Sequence, residues 1–220
     1  KKFAMKILSK FGVKVDFYDP TSIDSLKKRI NRKTKLIFME SPASLTFEIE
    51  DMSEIIKIAK NKKIITVIDN SWATPLYFLP INCGIDVSIL AATKYISGHA
   101  DTMLGLITVK NEKLFLKIKD NAVSLGDCPG PQECYLSLRG LRTLSARLEN
   151  HRSSALKIAR LLENNDKVSK VLHPALPKND NYKLWCKYFT GSTGLFSFIL
   201  KEQSKSKVYK MIDKLELFKL

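Results

Sequence analysis

Two charged residues close apolar runs, a place where burial without a partner is costly. Asp69 ends the run Lys63-Ile-Ile-Thr-Val-Ile-Asp69, and Lys94 ends Asp86-Val-Ser-Ile-Leu-Ala-Ala-Thr-Lys94. Each run has the length and character of one buried strand. Strand ends are where open α/β sheets keep their ligands, so Lys94 is expected at the buried end of a strand, facing Asp69 across a crevice. A lysine amine forms a Schiff base with an aldehyde, and a carboxylate keeps a ring nitrogen protonated. Pyridoxal 5'-phosphate (PLP) needs both, because its protonated ring then acts as an electron sink. The same residue types also suit a solvated surface lysine and a turn-forming aspartate. Types and spacing alone leave both descriptions open. The nucleotide signatures G-x-x-x-x-G-K-[ST] and G-x-G-x-x-G do not occur, nor does the G-x-S-x-G elbow of hydrolases. His99 has no second metal ligand near it in the sequence, and no metal site is expected.

The surrounding pattern supplies a sheet for these residues. Helical spacing runs from 1 to 11 and stops at Gly12, and Val13–Phe17 alternates like a strand. A helix starts at Thr21–Asp24 with Ile23, Leu26 and Ile30 on its apolar face. Strands are expected at 35–39, 63–68, 86–92 and 104–109, with a helix beginning at Asp51. This alternation is that of an α/β layer with a mostly parallel sheet. After Asn111 the pattern changes to a helix over 112–124, a break at 127–131 and a long helix over 132–165, interrupted near Gly140. Strands at 168–172, 195–200 and 215–220, with a helix at 205–214, then suggest a smaller α+β unit. The reading divides the chain into 1–140 and 141–220, with the second unit truncated.

The formal net charge is +15, yet the lysines are scattered and carry no interleaved aromatics. That argues against nucleic-acid binding as the main role, though a basic, non-catalytic binding protein stays as the outside alternative. No apolar run approaches the ~20 residues of a membrane helix, and residues 1–10 lack a secretory-signal pattern. The four cysteines form no C-x-x-C pair, which suits reduced thiols and a cytoplasmic protein.

The stretch Asp86-Val-x-x-x-Ala91-Ala92-Thr93-Lys94-Tyr95-Ile96-x-Gly98-His99 resembles the PLP-attachment signature of the Cys/Met metabolism family of PLP enzymes, which have fold type I. The segments 67–73, Ser137–Leu144 with Arg147 and His151, His173–Pro177 and Gly191–Phe198 are similar to further family motifs, in the family's order. The resemblance implies a PLP-dependent transferase-like large domain with a mostly parallel sheet, plus a truncated α+β C-terminal domain. It implies that Lys94 carries PLP and shuttles protons, that Asp69 pairs with the pyridine nitrogen, and that Thr93 bonds the phosphate. Ala91 stands where many relatives have a phosphate-binding Ser, so a backbone N–H or a water would substitute. Ser44, where the γ-enzymes have Asn, completes the implied cofactor-binding set. Glu40–Thr46, Ala91 and Trp72 resemble the bacterial cystathionine β-lyase branch, while Ala100 departs from the Ser frequent in relatives. That branch implies cleavage of L-cystathionine to homocysteine, pyruvate and ammonia, with the γ-synthase and γ-lyase activities as the alternative. The family also implies a homo-oligomer, a dimer of dimers with shared active sites. Its Gly-rich phosphate segment and stacking Tyr would precede Lys1, and its substrate-gripping Arg would follow Leu220. The chain is therefore expected to be partial and poorly active alone.

Overall fold

The apolar runs become β1 (Leu36–Glu40), β2 (Ile65–Asp69), β3 (Val87–Ala91) and β4 (Gly105–Val109) in the computed structural model, which describes residues 2–202 and 204–217. They form one sheet in the order β1-β2-β3-β4. The first three strands are parallel, and β4 is antiparallel to β3. The register sets Glu40 beside Asp69 and Asp69 beside Ile89, so β1 and β2 finish level on one edge and β3 runs two residues past them to Ala91.

Parallel neighbours need a crossover. Between β1 and β2 it is α3 (Met52–Lys62), which follows α1 (Lys2–Lys6) and α2 (Ile23–Arg29) in the chain. Met52, Ile55, Ile56 and Ala59 line one face of α3 and are buried against Ile37, Met39 and Ile68 of the sheet. The short helices α4 (Thr74–Tyr77) and α5 (Pro80–Cys83) lead from β2 to β3. Asp86 locks the start of β3 to β2: its Oδ2 accepts from the Thr66 N–H and hydroxyl, both at 2.8 Å.

Beyond β4 lie α6 (Glu112–Ser124), α7 (Pro131–Leu141) and α8 (Leu144–Glu163), so the long helix expected over 132–165 is two helices. The break falls at Arg142–Thr143, where the Thr143 hydroxyl donates to the Gly140 carbonyl. The early turns of α8 pack Leu144 and Leu148 against Leu90, Ala92 and Ile96. Farther along, Ala159 packs with Val171 and Leu176. There β5 (Val168–Leu172) pairs antiparallel with β6 (Ser197–Leu200), accompanied by α9 (Tyr182–Tyr188) and α10 (Lys205–Asp213). The helix α8 thus reaches both sheets, and the proposed division near 140 falls within α7.

Three expectations change. Val13–Phe17 is not a strand, because no neighbouring strand pairs with it among the described residues. The N-terminal helix is cut to α1 and a 3-10 turn at Leu8–Phe11, which Gly12 ends at φ +74°. Of the strand expected over 215–220, residues 215–217 follow α10 without strand pairing, and 218–220 lie outside the described residues. Among the described residues no helix is long and apolar enough to cross a membrane, and the cysteines are free and exposed.

One buried acid lies beside the end of β1. Glu50 is 3% exposed. Its Oε1 accepts from the Tyr18 hydroxyl at 2.6 Å and its N–H donates to Ser41 Oγ, while Oε2 has no partner among the described residues. Burial pushes its carboxyl from 4.5 up to about 7, against the opposing Tyr18 hydrogen bond and with help from the nearby Glu40 charge. The neutral acid fits the site and the carboxylate does not. Its contribution to stability is therefore full below about pH 4.5 and lost as pH rises to about 7. Denaturant unfolding of Glu50→Gln and the parent at pH 5 and pH 8 should show the variant gaining on the order of 2–3 kcal/mol at the higher pH relative to the lower. A pH-independent difference between the two would count against a buried neutral Glu50.

Candidate active site

The chain leaves β2 through Asp69 and turns at once. Asp69 is half-buried, and its Oδ1 accepts from the Ser71 N–H at 2.9 Å. The Asn70 N–H donates to the Ile89 carbonyl at 2.8 Å, which carries the ladder one residue past the strand. Ser71 Oγ accepts from the Ala91 N–H at 2.8 Å. The Asp69–Ser71 turn is thus fastened to the end of β3, and Asp69 is oriented by a backbone donor. The same bond narrows the expectation for Ala91. Its N–H is already donated to Ser71, so neither its methyl nor its amide is free to replace a serine hydroxyl.

From Ala91 the chain coils through one tight turn. The Lys94 N–H donates to the Ala91 carbonyl, Ser97 to Ala92, and Gly98 to Lys94, at 2.8–3.1 Å. The Ser97 hydroxyl also donates to the Thr93 carbonyl at 2.9 Å. Thr93 ties this turn to the chain entering β4: its Oγ1 accepts from the Leu104 N–H at 2.9 Å. The hydroxyl proton has only a long contact of 3.4 Å to the Leu104 carbonyl, so it is lightly held.

The turn buries Ala92 and Ile96 and leaves Lys94 exposed. This corrects the expected burial. The strand stops at Ala91, and Lys94 lies on the opposite side of the following turn from its apolar residues. Among the described residues its ammonium has no hydrogen-bond or ion-pair partner. It opens on a cavity of about 820 Å³ whose walls include Thr93, Lys94, Tyr95, Asp101, Arg147 and His151. The volume is in the range of small-molecule sites. The Tyr95 and His151 rings lie 5.9 Å apart, and Asp101 pairs with Arg139 at 3.4 Å.

The five candidate residues are not all in this cavity. Thr93 and Lys94 line it, and Asp69, Ala91 and Ser44 do not. Asp69 and Ala91 are joined through Ser71 on the same sheet edge. Ser44 is exposed on the loop after β1, where its hydroxyl donates to the Glu40 carboxylate. It stands one strand over, since Glu40 is level with Asp69.

Sequence reasoning assigned no task to Ser71, Gly140 or Arg147. Ser71 carried a signal in the Asp-Asn-Ser turn chemistry. Gly140 sits where α7 touches the lysine turn: a Cβ there would strike the Ile96 and Ser97 carbonyl oxygens. Arg147 stood in a family-like segment with no role attached, and its contacts supply one.

The donor set fits PLP. There is an unpartnered primary amine for its aldehyde, a backbone-oriented carboxylate for its ring nitrogen, and a lightly held hydroxyl for its phosphate. The comparisons agree. The profile of the Cys/Met metabolism PLP-dependent enzymes matches residues 1–220. An L-alanine/L-glutamate racemase of Wolbachia pipientis wMel is 42% identical over 99% of this chain and 54% of its own length. The cystathionine beta-lyase MetC of Escherichia coli K12 is 39% identical over 99% of this chain and 56% of its own. Among solved structures, cystathionine gamma-lyase from Lactobacillus plantarum superposes with a TM-score of 0.94 at 27% identity, covering 100% of this chain and 57% of that one. The chain spans about half the length of the curated relatives it matches. With the profile matched along its whole length, a fold of type I and a site suited to the cofactor, the chain belongs to the Cys/Met metabolism family of PLP-dependent enzymes.

Proposed function

We propose that the protein is a carbon–sulfur β-lyase that converts L-cystathionine and water to homocysteine, pyruvate and ammonia. The observation that carries this reading is the unpartnered Lys94 amine opening on the cavity, one turn past the strand that neighbours Asp69. Ser44 and Ala91 favour the β-lyase branch over the γ-enzymes, and so do the relatives named cystathionine beta-lyase. When bound, the cofactor supplies an electron sink that stabilises negative charge at the substrate Cα. Lys94 Nζ would hold it covalently, and the Lys94 amine, once free, would remove the substrate Cα proton. The Asp69 carboxylate, held by the Ser71 N–H, keeps the ring nitrogen protonated. Thr93 Oγ1, anchored by the Leu104 N–H, turns its proton to the phosphate. Ser44 closes the cofactor-binding set from the β1 side, and the backbone at Ala91 fixes the spacing between Asp69 and Lys94. Departure of the Cβ–S bond then gives homocysteine, and the three-carbon enamine left behind hydrolyses to pyruvate and ammonia. The reading includes a cytoplasmic homo-oligomer, a dimer of dimers with active sites shared between subunits. Analytical ultracentrifugation of the full-length protein should then give a tetramer mass, and a monomer would contradict it.

A second reading follows from the racemase relative. Racemisation begins with the same removal of the Cα proton and ends with its return to the opposite face. Tyr95 and His151 share the cavity with Lys94 and are candidates to return it. Products separate the readings. The PLP-loaded full-length protein should release pyruvate from L-cystathionine. Release of 2-oxobutyrate instead would assign a γ-activity, and D-alanine from L-alanine without pyruvate would assign racemisation. In the same assay Asp69→Asn should lower kcat by roughly 10²–10³-fold, the scale of losing one aimed electrostatic contact. Parent-like turnover in that variant would remove Asp69 from the site.

A further inference from the structure

The lysine turn is gripped from outside by one side chain. Arg147, half-buried on α8, donates from Nη1 to the Tyr95 carbonyl at 2.8 Å and from Nη2 to the Ile96 carbonyl at 3.2 Å. Nη2 also donates to the Gly140 carbonyl at 2.7 Å, and Nε to Thr143 Oγ1 at 3.0 Å. No carboxylate pairs with it among the described residues. A buried cation is costly unless its charge is met, and here backbone dipoles meet it. Burial holds its pKa below the ordinary arginine value, in keeping with that setting. The fit is tight on both sides. A Cβ at Gly98, where φ is +73°, would strike the Arg147 guanidinium, and a Cβ at Gly140 would strike the Ile96 carbonyl that Arg147 holds and the Ser97 carbonyl next to it. Nearly all of its N–H groups are spent on the turn and the α7–α8 corner, so it is not free to receive a ligand. The guanidinium spreads its donors over three nitrogens in a rigid plane, which reaches the lysine turn and the α7–α8 corner together; a lysine offers three donors from one nitrogen on a flexible stem and does not reproduce that reach.

We propose that Arg147 is the positioning residue of Lys94: it clamps the two carbonyls that follow Lys94 to the α7–α8 corner and so fixes where the amine meets its carbonyl partner. The proposal rests on Lys94 as the PLP-bearing lysine. It goes beyond that reading by naming what holds the amine in line. Misplacing a reacting group by about 1 Å can cost ~10²-fold in rate.

The test uses the full-length protein with Arg147→Lys, stripped of PLP and then reloaded. Two quantities are followed: the rate at which the visible absorption of lysine-attached PLP appears, and kcat and KM per bound PLP. The expected result is attachment slowed about 10-fold and kcat lowered ~10–100-fold, with KM within about threefold. A purely structural arginine would lower Tm and leave attachment rate and kcat per bound PLP at parent values, and that outcome overturns the proposal. If Arg147→Lys does not fold, Thr143→Val removes only the Nε partner. A kcat lowered about threefold or more with unchanged KM supports the clamp, and an unchanged kcat overturns it. Lys94→Ala runs alongside: a visible band that survives there would overturn the lysine assignment itself, independently of Arg147.

Discussion

The pairing register of β1, β2 and β3 is the constraint on which the site depends. Side chains alternate faces along a strand, so a slip of one residue would send Asp69 to the other face of the sheet. The pairing of Glu40 with Asp69 and of Asp69 with Ile89 fixes that register at the carboxyl edge. At the opposite end, Asp86 takes two hydrogen bonds from Thr66 and starts β3 in step with β2. At the carboxyl edge Ser71 accepts from Ala91 and keeps the two strand ends together. A polar lock at each end of a short buried pair leaves no freedom for the sheet to shear. The carboxylate and the lysine turn are then held by the same frame.

Reactivity is put just outside that frame. The turn after β3 buries Ala92 and Ile96 and turns Lys94 outward to a cavity. The turn itself is not free to move. Thr93 ties it to the chain entering β4, and Gly140 lets α7 approach its carbonyls closely. The amine is therefore carried on rigid backbone while its own side chain stays unpaired. That division suits the role proposed for Lys94, which is to hold a cofactor, release it and move a proton.

Much of this was legible in the sequence, for a physical reason. Parallel strands buried on both sides read as continuous apolar runs, so the stretches ending at Asp69 and near Lys94 stood out. Val13–Phe17 also alternates like a strand, but a strand needs a neighbour, and alternation does not supply one. The exposure of Lys94 was not legible, because the turn begun by Ala92 and Thr93, the two residues between the strand end and the lysine, reverses its direction. The short helix α9 was hidden because its aromatics, Tyr182, Trp185 and Tyr188, gave only two helical turns of pattern. Arg147 was visible in the sequence as part of a family-like segment, but without a role. Its role lies in the Tyr95 and Ile96 carbonyls of the lysine turn, which are some fifty residues away in sequence.

The central claim is that one lysine among many carries the cofactor. Borohydride reduction of the PLP-loaded full-length protein would fix the cofactor to its lysine, and peptide mass spectrometry would locate it. The account predicts a pyridoxyl group on the peptide that contains Lys94 and on no other. A pyridoxyl group on a different lysine, with Lys94 unmodified, would contradict it.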